Sequence, residues 1–449
     1  MPIVHHRCIR PKLPADHILA GKTMIIPDMA EGSAAALSAA FRWLGIDARP
    51  TPPSDQQTLE IGGKFTSGDE CYPAKITTGD FLKIARTPGF DSRKTVFLMA
   101  TIDGPCRFGQ YAPFLKKVLR ENGLGDVQVV SPQGQNAYSH FEQCNGSFVR
   151  TAWRALVSAD ILRKMLLQKR PYEAFAGSAD RSFQLSVADL CQTLENSCAE
   201  AGCQMRSILN SLRRAKERFA SISIRSGEKR PLIGVVGEIF CRLNNFSNQN
   251  FVRRLEAQGA ECWMSDIAEW ISYTNIEEFR NLRHSGKKYS WSMLGAKLRS
   301  RVQHWDEQTL QSIFADEFRK YIEPSIEHVV ELARPYLPFP GAEGEMVVSV
   351  GRSIYLARYG VDGIVDISPF TCMNGVVSEA VYPKVSRENG GIPIRNFYFD
   401  GQQSDLDRDI GIYMELARSY RERRLRDVHL PPIFAMTYNQ TTACGDQSS

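Results

Sequence analysis

Short apolar runs alternate with helix-length segments near the start of the chain, and this alternation restricts the fold more than any other feature. "KTMIIP" (22–27), residues 94–100 and "VQVVSP" (127–132) predict strands, and the segments 31–45 and 112–122 between them predict helices. Strands separated by helices of this length form parallel sheets with crossover helices. The first part of the chain is therefore predicted to be an α/β lobe.

The same alternation returns in the second half of the chain. A strand in "PLIGVVGEIFC" follows the linker "SGEKRP" (226–231), and further strands are predicted at 363–370 and 392–401. Helical patterns fill most of 148–225 and 274–335. The predicted fold class is α/β, with two Rossmann-like parallel-sheet lobes and large helical insertions.

The pattern predicts the following domain organisation. The segments are a first α/β lobe (1–147), a helical segment (148–225), the start of a second α/β lobe (226–273), a helical insertion (274–345), the remainder of the second lobe (346–430) and a disordered tail (431–449).

Composition and charge point to a globular protein without a polyanionic or membrane partner. The 449 residues carry a net charge of +5, and 43% are hydrophobic. The excess charge is diffuse, although "RHSGKKYSWS" forms a basic, polar insert. No apolar run approaches the roughly 20 residues that span a bilayer, and the N-terminus has no secretory h-region. We expect a cytoplasmic protein that binds neither nucleic acid nor membrane.

Eleven cysteines, an odd number without a secretory signal, argue against a disulfide framework. Metal ligands, catalytic thiols and core residues remain as interpretations. No C-x-x-C pair, P-loop or GxGxxG motif is present. Cys191 and Cys198 fall seven residues apart in the helical segment and are expected on one helical face, with Cys203 nearby, and all three are interpreted as small core residues.

Three cysteines share one sequence setting. Cys71 in "GDECYPAK", Cys106 in "GPCRFGQY" and Cys372 in "SPFTCMNG" each lie at a strand end or a loop-to-helix junction. Ligands of open α/β sheets bind at the carboxyl ends of strands, and helix N-termini stabilise thiolates. The three thiolates could converge on one crevice. Three unrelated cysteines are equally compatible with the local chemistry.

The words "ECYPAK", "GPCRFGQY", "GEIFCRLNNFSN" and "PFTCMNGVVSEA" resemble the 2-hydroxyacyl-CoA dehydratase/benzoyl-CoA reductase superfamily. The closest likeness is to the C-terminal part of the acyl-CoA dehydratase activase-related proteins and to double-cubane cluster proteins. The resemblance implies a 4Fe–4S cluster in the crevice between the lobes, held by Cys71, Cys106 and Cys372. An 8Fe–9S double cubane is the alternative cofactor.

The resemblance also implies a function. The chain would accept low-potential electrons from an ATP-hydrolysing activator, an ASKHA-type ATPase with its own cluster, and reduce or dehydrate a substrate such as an acyl-CoA at an open iron. This describes an oxygen-sensitive iron–sulfur reductase or an (R)-2-hydroxyacyl-CoA dehydratase-like component. The sequence contains no such ATPase domain, so the activator is expected to be another polypeptide. A second copy or a paralogous subunit is a further expected partner.

Other functions stay open from sequence alone. They are a non-catalytic cluster or scaffold subunit, a double-cubane reductase of small molecules, and a metal-free two-lobed binding module. No clear basic cluster marks a site for the phosphates of CoA, so the substrate class is also open.

Several residues near these words have two interpretations. Arg107 either compensates the charge of a cluster or braces its loop. Cys241 and Cys144 are ligands of a second cubane or, as we favour, buried thiols. We expect one cubane per chain. A capping or solvated role is favoured over proton donation for three carboxylates, Asp103, Glu70 and Glu379.

Overall fold

A computed structural model describes most of the chain, namely residues 17–102, 106–131, 146–227, 229–338 and 344–429. These residues contain two four-stranded sheets in which every strand pair is parallel. Helices connect successive strands in both sheets. The predicted α/β class with two Rossmann-like lobes is confirmed.

The first sheet has the strand order β2-β1-β3-β4. Its strands are β1 (Thr23–Ile26), β2 (Asp47–Pro50), β3 (Thr95–Leu98) and β4 (Gln128–Val130). The helices of this lobe are α1 (Ser33–Trp43), α2 (Gln56–Gly63), α3 (Tyr72–Ala85) and α4 (Tyr111–Glu121). Three strands and two helices lie where the apolar runs predicted them. Helix α2 begins at a capping box of Asp55 and Thr58, which sequence analysis missed.

Three helices then form the predicted helical segment. They are α5 (Gly146–Lys169), α6 (Ser178–Glu195) and α7 (Ala201–Ala220). Their apolar faces share one core with α1 of the first lobe, where Trp43, Trp153, Phe183 and Phe219 are buried. The helical segment is therefore packed on the first lobe.

The second sheet repeats the first, with the strand order β6-β5-β7-β8. Its strands are β5 (Leu232–Gly237), β6 (Glu261–Met264), β7 (Gly363–Pro369) and β8 (Ile394–Phe399). Its helices are α8 (Ile239–Leu243), α9 (Phe251–Ala257), α10 (Ile267–His284), α11 (Trp291–Gln311), α12 (Ile326–Ala333), α13 (Glu345–Tyr359), α14 (Met373–Glu388) and α15 (Leu406–His429).

The central strands of the second sheet are almost wholly buried. Every residue of β7 is buried, as expected for a parallel strand covered by helices on both faces. Helices α10 and α11 form a long hairpin that begins at Ile267, seven residues before the predicted helical insertion (274–345), and otherwise lies within it. No helix in the described parts of the chain combines the length and apolar character needed to cross a membrane.

Candidate functional site

A cavity of about 210 Å³ lies between the two lobes. It is lined from the first lobe by residues that follow β1 and β3, and from the second lobe by residues that follow β5 and β7. In each sheet these two strands are central neighbours from which the chain runs outward in opposite directions. Such a reversal point is where open α/β sheets bind ligands. Here the reversal points of both sheets open into one cavity.

The three cysteines singled out from sequence all line this cavity. Cys71, Cys106 and Cys372 come from three separate loops, two in the first lobe and one in the second. Cys71 and Cys372 are each 7% exposed, and Cys106 is partly buried. The structure therefore brings together residues separated by up to about 300 positions in the sequence.

Each of these cysteines occupies the N-cap position of a helix. Cys71 precedes α3, Cys372 precedes α14, and Cys106 precedes a short 3₁₀ helix that leads into α4. An N-cap side chain is close to backbone N–H groups that have no partner within the helix. These groups favour a thiolate over a thiol. The sequence pattern of loop, cysteine and helix therefore creates three similar positions for an anionic sulfur.

Arg107 joins the three cysteine loops. Its guanidinium donates to the carbonyl oxygen of Asp69 at 2.5 Å and to that of Thr371 at 2.7 Å. These residues lie just before Cys71 and Cys372, whereas Arg107 itself follows Cys106. The structure thus gives Arg107 the loop-bracing role, and its charge also favours the thiolate of Cys71.

The loop before Cys372 is held in an unusual backbone conformation. Thr371 has a φ of 61°, which is rare for a β-branched residue and costs about 1–3 kcal/mol. Its carbonyl group is the one that Arg107 holds. A strained residue persists only where its surroundings enforce it, and here the enforcing contact spans the two lobes.

The ends of β5 and β7 meet at Gly237. This residue has a φ of 113°, and an added Cβ would lie 2.2 Å from the carbonyl oxygen of Ile367. Only glycine therefore allows β5 to turn directly into α8 beside the cavity.

Burial dominates the electrostatics of the thiols. It raises the pKa of Cys106 to about 11, although the backbone N–H of Phe108 favours the thiolate. Burial also raises the pKa of Cys372 and of Cys71. In Cys372 the N–H groups of Gly375 and Asn374 oppose this effect, and in Cys71 Arg107 and the hydroxyl group of Tyr111 oppose it. These thiols therefore carry their protons at neutral pH, and a metal ion that binds the sulfur atoms would displace those protons.

Two partly buried carboxyl groups in the cavity wall were not singled out from sequence. Glu238 caps α8 and accepts hydrogen bonds from the backbone N–H groups of Phe240 and Cys241. Glu345 begins α13 and accepts from the N–H of Ile239 at 3.2 Å. Burial raises the pKa of both, and the charge of Glu238 raises that of Glu345 further. The signal available in the sequence was that Glu238 directly follows an apolar strand.

The remaining cavity wall is mostly apolar, with one unsatisfied polar atom. Phe108, Trp270 and Met99 contribute to the apolar surface, and the rings of Phe108 and Trp270 meet edge to face across the lobes. Asn374 is 5% exposed, and its Oδ1 accepts no hydrogen bond within the described residues. A buried acceptor of this kind is costly unless a ligand or water donates to it.

The other sequence candidates that the structure describes do not line the cavity. Cys241 is fully buried in α8 and is not among the residues that line the cavity, although its thiol interacts electrostatically with Cys372. Cys144 and Asp103 fall outside the described residues. Glu70 accepts hydrogen bonds from the N–H groups of Ser67 and Gly68 in its own loop. The last of these candidates, Glu379, accepts a hydrogen bond from the hydroxyl group of Tyr398 at 2.7 Å.

The residues of the cavity can be compared with what an iron–sulfur cluster requires. The described part of the chain has no group of three or more His, Cys, Asp or Glu side chains placed to hold a metal ion. A 4Fe–4S cubane does not need its cysteines to bind one common ion. Each thiolate binds a different iron, so the cysteines surround the cluster at larger separations. Three N-cap cysteines around a largely apolar cavity supply this donor set, and the orphan Oδ1 of Asn374 is consistent with a ligand there.

Comparison with known proteins adds no assignment, because no family model matches the chain and no curated protein matches it.

Proposed function

We propose that this protein is an iron–sulfur protein that accepts low-potential electrons from an ATP-hydrolysing activator and reduces or dehydrates a substrate at an open iron. One observation carries the proposal. Three cysteines, each at the N-cap of a different helix, line a single cavity where the strand reversals of two parallel sheets face each other. The likeness of "GPCRFGQY" and its companion words to the 2-hydroxyacyl-CoA dehydratase superfamily supports the same reading.

A 4Fe–4S cluster bound here would supply single-electron chemistry and one iron without a cysteine ligand. Cys71, Cys106 and Cys372 would hold it, with the helix N-termini favouring their thiolates. Arg107 fixes the distances between the three loops and adds a positive charge beside Cys71. The apolar walls limit access of water to the cavity.

The chain also supplies groups that can hold a proton beside the cavity. Glu238 and Glu345 are partly buried, and desolvation raises the pKa of both, so they hold a proton more readily than exposed carboxyl groups do. A substrate that gains an electron or loses a hydroxyl group needs a proton at the same place. Asn374 can orient such a substrate through its free Oδ1.

The cavity size restricts what can enter. A volume of about 210 Å³ is below the range of about 300–1,000 Å³ that is typical of sites for drug-sized ligands. The described lining contains no lysine or arginine for phosphate groups. We therefore favour a small substrate, or the acyl end of a larger one whose polar part stays outside. A double-cubane reductase of small molecules is the second candidate, because Cys241 directly follows Phe240 of the cavity wall and its thiol interacts electrostatically with Cys372.

The experiment is anaerobic reconstitution with ferrous iron and sulfide, followed by reduction with a cluster-containing ATPase of the ASKHA type. We expect brown protein that air bleaches, and reduction only while ATP is hydrolysed. Reduction at the same rate without ATP would replace the activator by an ordinary ferredoxin-like donor. Protein that stays colourless after reconstitution would contradict the proposal and leave a metal-free binding module.

A further inference from the structure

The connection between α6 and α7 carries two cysteines that were expected in the core. Cys198 lies between the two helices, and Cys203 lies in the first turn of α7. Both are partly exposed, and neither belongs to a hydrophobic core of the described residues. Cys191, by contrast, packs against the core of the helical segment. The interpretation as core residues therefore holds for Cys191 and is wrong for the other two.

The side chains of these two cysteines contact each other. The thiol of Cys203 donates a hydrogen bond to the sulfur of Cys198, and this bond raises the pKa of Cys203, while the charge of Arg206 opposes the rise. A proton that stays on Cys203 stabilises a thiolate at Cys198, because a hydrogen bond to a charged group favours the charged form. The pair therefore places a nucleophilic sulfur directly beside a second thiol.

Hydrogen bonds from buried side chains fix the backbone on both sides of this pair. The indole Nε1 of Trp43 donates to the carbonyl oxygen of Ser197 at 3.0 Å, and the amide group of Gln204 donates to the hydroxyl group of Ser197 at 3.2 Å. The guanidinium of Arg154 donates to the carbonyl oxygen of Ala201 at 2.8 Å. All three donor side chains are buried. The two sulfur atoms are therefore held together by the folded core beneath them.

We propose that Cys198 and Cys203 are a thiol–disulfide exchange site, which a low-molecular-weight disulfide such as oxidised glutathione converts into an internal disulfide. The thiolate of Cys198 attacks one sulfur of the small disulfide, which forms a mixed disulfide and releases one thiolate. Cys203 then loses its proton and attacks the sulfur of Cys198, which expels the second thiolate. The chain gives up two electrons and two protons, and the small disulfide takes them up to become two thiols.

Exposure and spacing distinguish this pair from the buried cysteines. A small disulfide can reach partly exposed thiols, whereas Cys241 and Cys262 are 0% and 2% exposed and so are protected from exchange. The internal disulfide would close a loop of only six residues, 198–203, without moving the elements on either side. Exposed disulfides are the labile and regulatory kind, and those of reducing compartments are usually transient and redox-sensing.

Peptide mass spectrometry of the full chain tests the exchange. Reduced protein is equilibrated with oxidised and reduced glutathione at a total of about 1 mM, which is below the effective concentration of a neighbouring thiol, and is then alkylated. Cleavage after Glu195 and Glu200 places Cys191, Cys198 and Cys203 on separate peptides. We expect the peptides of Cys198 and Cys203 to become linked, and to exceed the glutathione adducts at least about tenfold. Dithiothreitol should separate the linked peptides again.

Single variants separate the two steps of the exchange. Cys203→Ser should stop at a stable glutathione adduct on Cys198, because the second thiol is missing, and Cys191→Ser is the matched control that should form the linked peptides like wild type. Unlinked peptides at every glutathione ratio would overturn the inference. So would stable glutathione adducts on the wild-type pair, or a linkage that forms only in urea-denatured protein. The exchange does not depend on what the cysteine cavity holds.

Discussion

Substituting Arg107 should loosen the cysteine cavity without unfolding the protein. Its two hydrogen bonds, to the carbonyl oxygens of Asp69 and Thr371, connect loops from both lobes. Hydrogen bonds from a charged group contribute about 1.5–3 kcal/mol each when buried, and exposure reduces this, so we take about 2 kcal/mol for the pair. Losing these two hydrogen bonds should raise the fraction of molecules in which the loops of Cys71 and Cys372 are open about thirtyfold.

The assay is the alkylation rate of each cysteine in reduced, metal-free protein, resolved by peptide mass spectrometry. Arg107→Lys keeps the charge but cannot span both carbonyl groups, so Cys71 and Cys372 should be labelled about thirtyfold faster. Arg107→Met should in addition shift the reactivity of Cys71 to higher pH, because the guanidinium lowers the pKa of this thiol.

Arg93→Met removes a surface pair with Asp126 and is the matched control. Cys262, which is buried in β6, reports on global unfolding. Labelling of Cys71 and Cys372 in both Arg107 variants within twofold of wild type would refute the bracing role.

Three further predictions concern stability and ligand number. Asp306→Ala removes the carboxylate that the buried guanidinium of Arg154 shares with Arg150, and should lower the free energy of unfolding by about 3–5 kcal/mol. Denaturant titration measures this loss, and Asp316→Ala, which changes an exposed ion pair, is the control. Burial raises the pKa of Asp80 to about 6. The protonated carboxyl group of Asp80 therefore stabilises the fold fully below about pH 4, and this stabilisation is lost as the pH rises through 6. Asp80→Asn should remove this pH dependence of the free energy of unfolding, and an unchanged pH profile would contradict the prediction. Cys241→Ala should keep the full iron content and lose only about 1 kcal/mol of stability, whereas a fall in iron would indicate a second cubane.

Much of the fold could be predicted from local patterns. The runs at 94–100 and 363–370 are apolar because both faces of a central parallel strand are covered, so they stand out in the sequence. Helix α2 was missed because its residues, "QQTLEIGG", carry little apolar periodicity and begin at a polar capping box. Cys198 was expected on the same helical face as Cys191, but α6 ends at Glu195, so this interpretation was wrong.

The candidate site was only partly predictable. The loop–cysteine–helix setting is a local pattern, so Cys71, Cys106 and Cys372 could be selected before their convergence in space was known. Glu345 and Asn374 had no such signal, because their relation to the cavity depends on how α13 and α14 pack against β5 and β7. The bond from Arg107 to Thr371 joins residues 264 positions apart, and no local pattern reports such a contact.

The most direct test of the central claim is the iron and acid-labile sulfide content of anaerobically purified protein, compared across single cysteine variants. One cubane predicts about four irons per wild-type chain. Cys71→Ala, Cys106→Ala and Cys372→Ala should each lower this content, and Cys191→Ala, which changes a cysteine packed outside the cavity, should not. Iron-free wild type that cannot be reconstituted, or a Cys106→Ala protein with the iron content of wild type, would contradict the account.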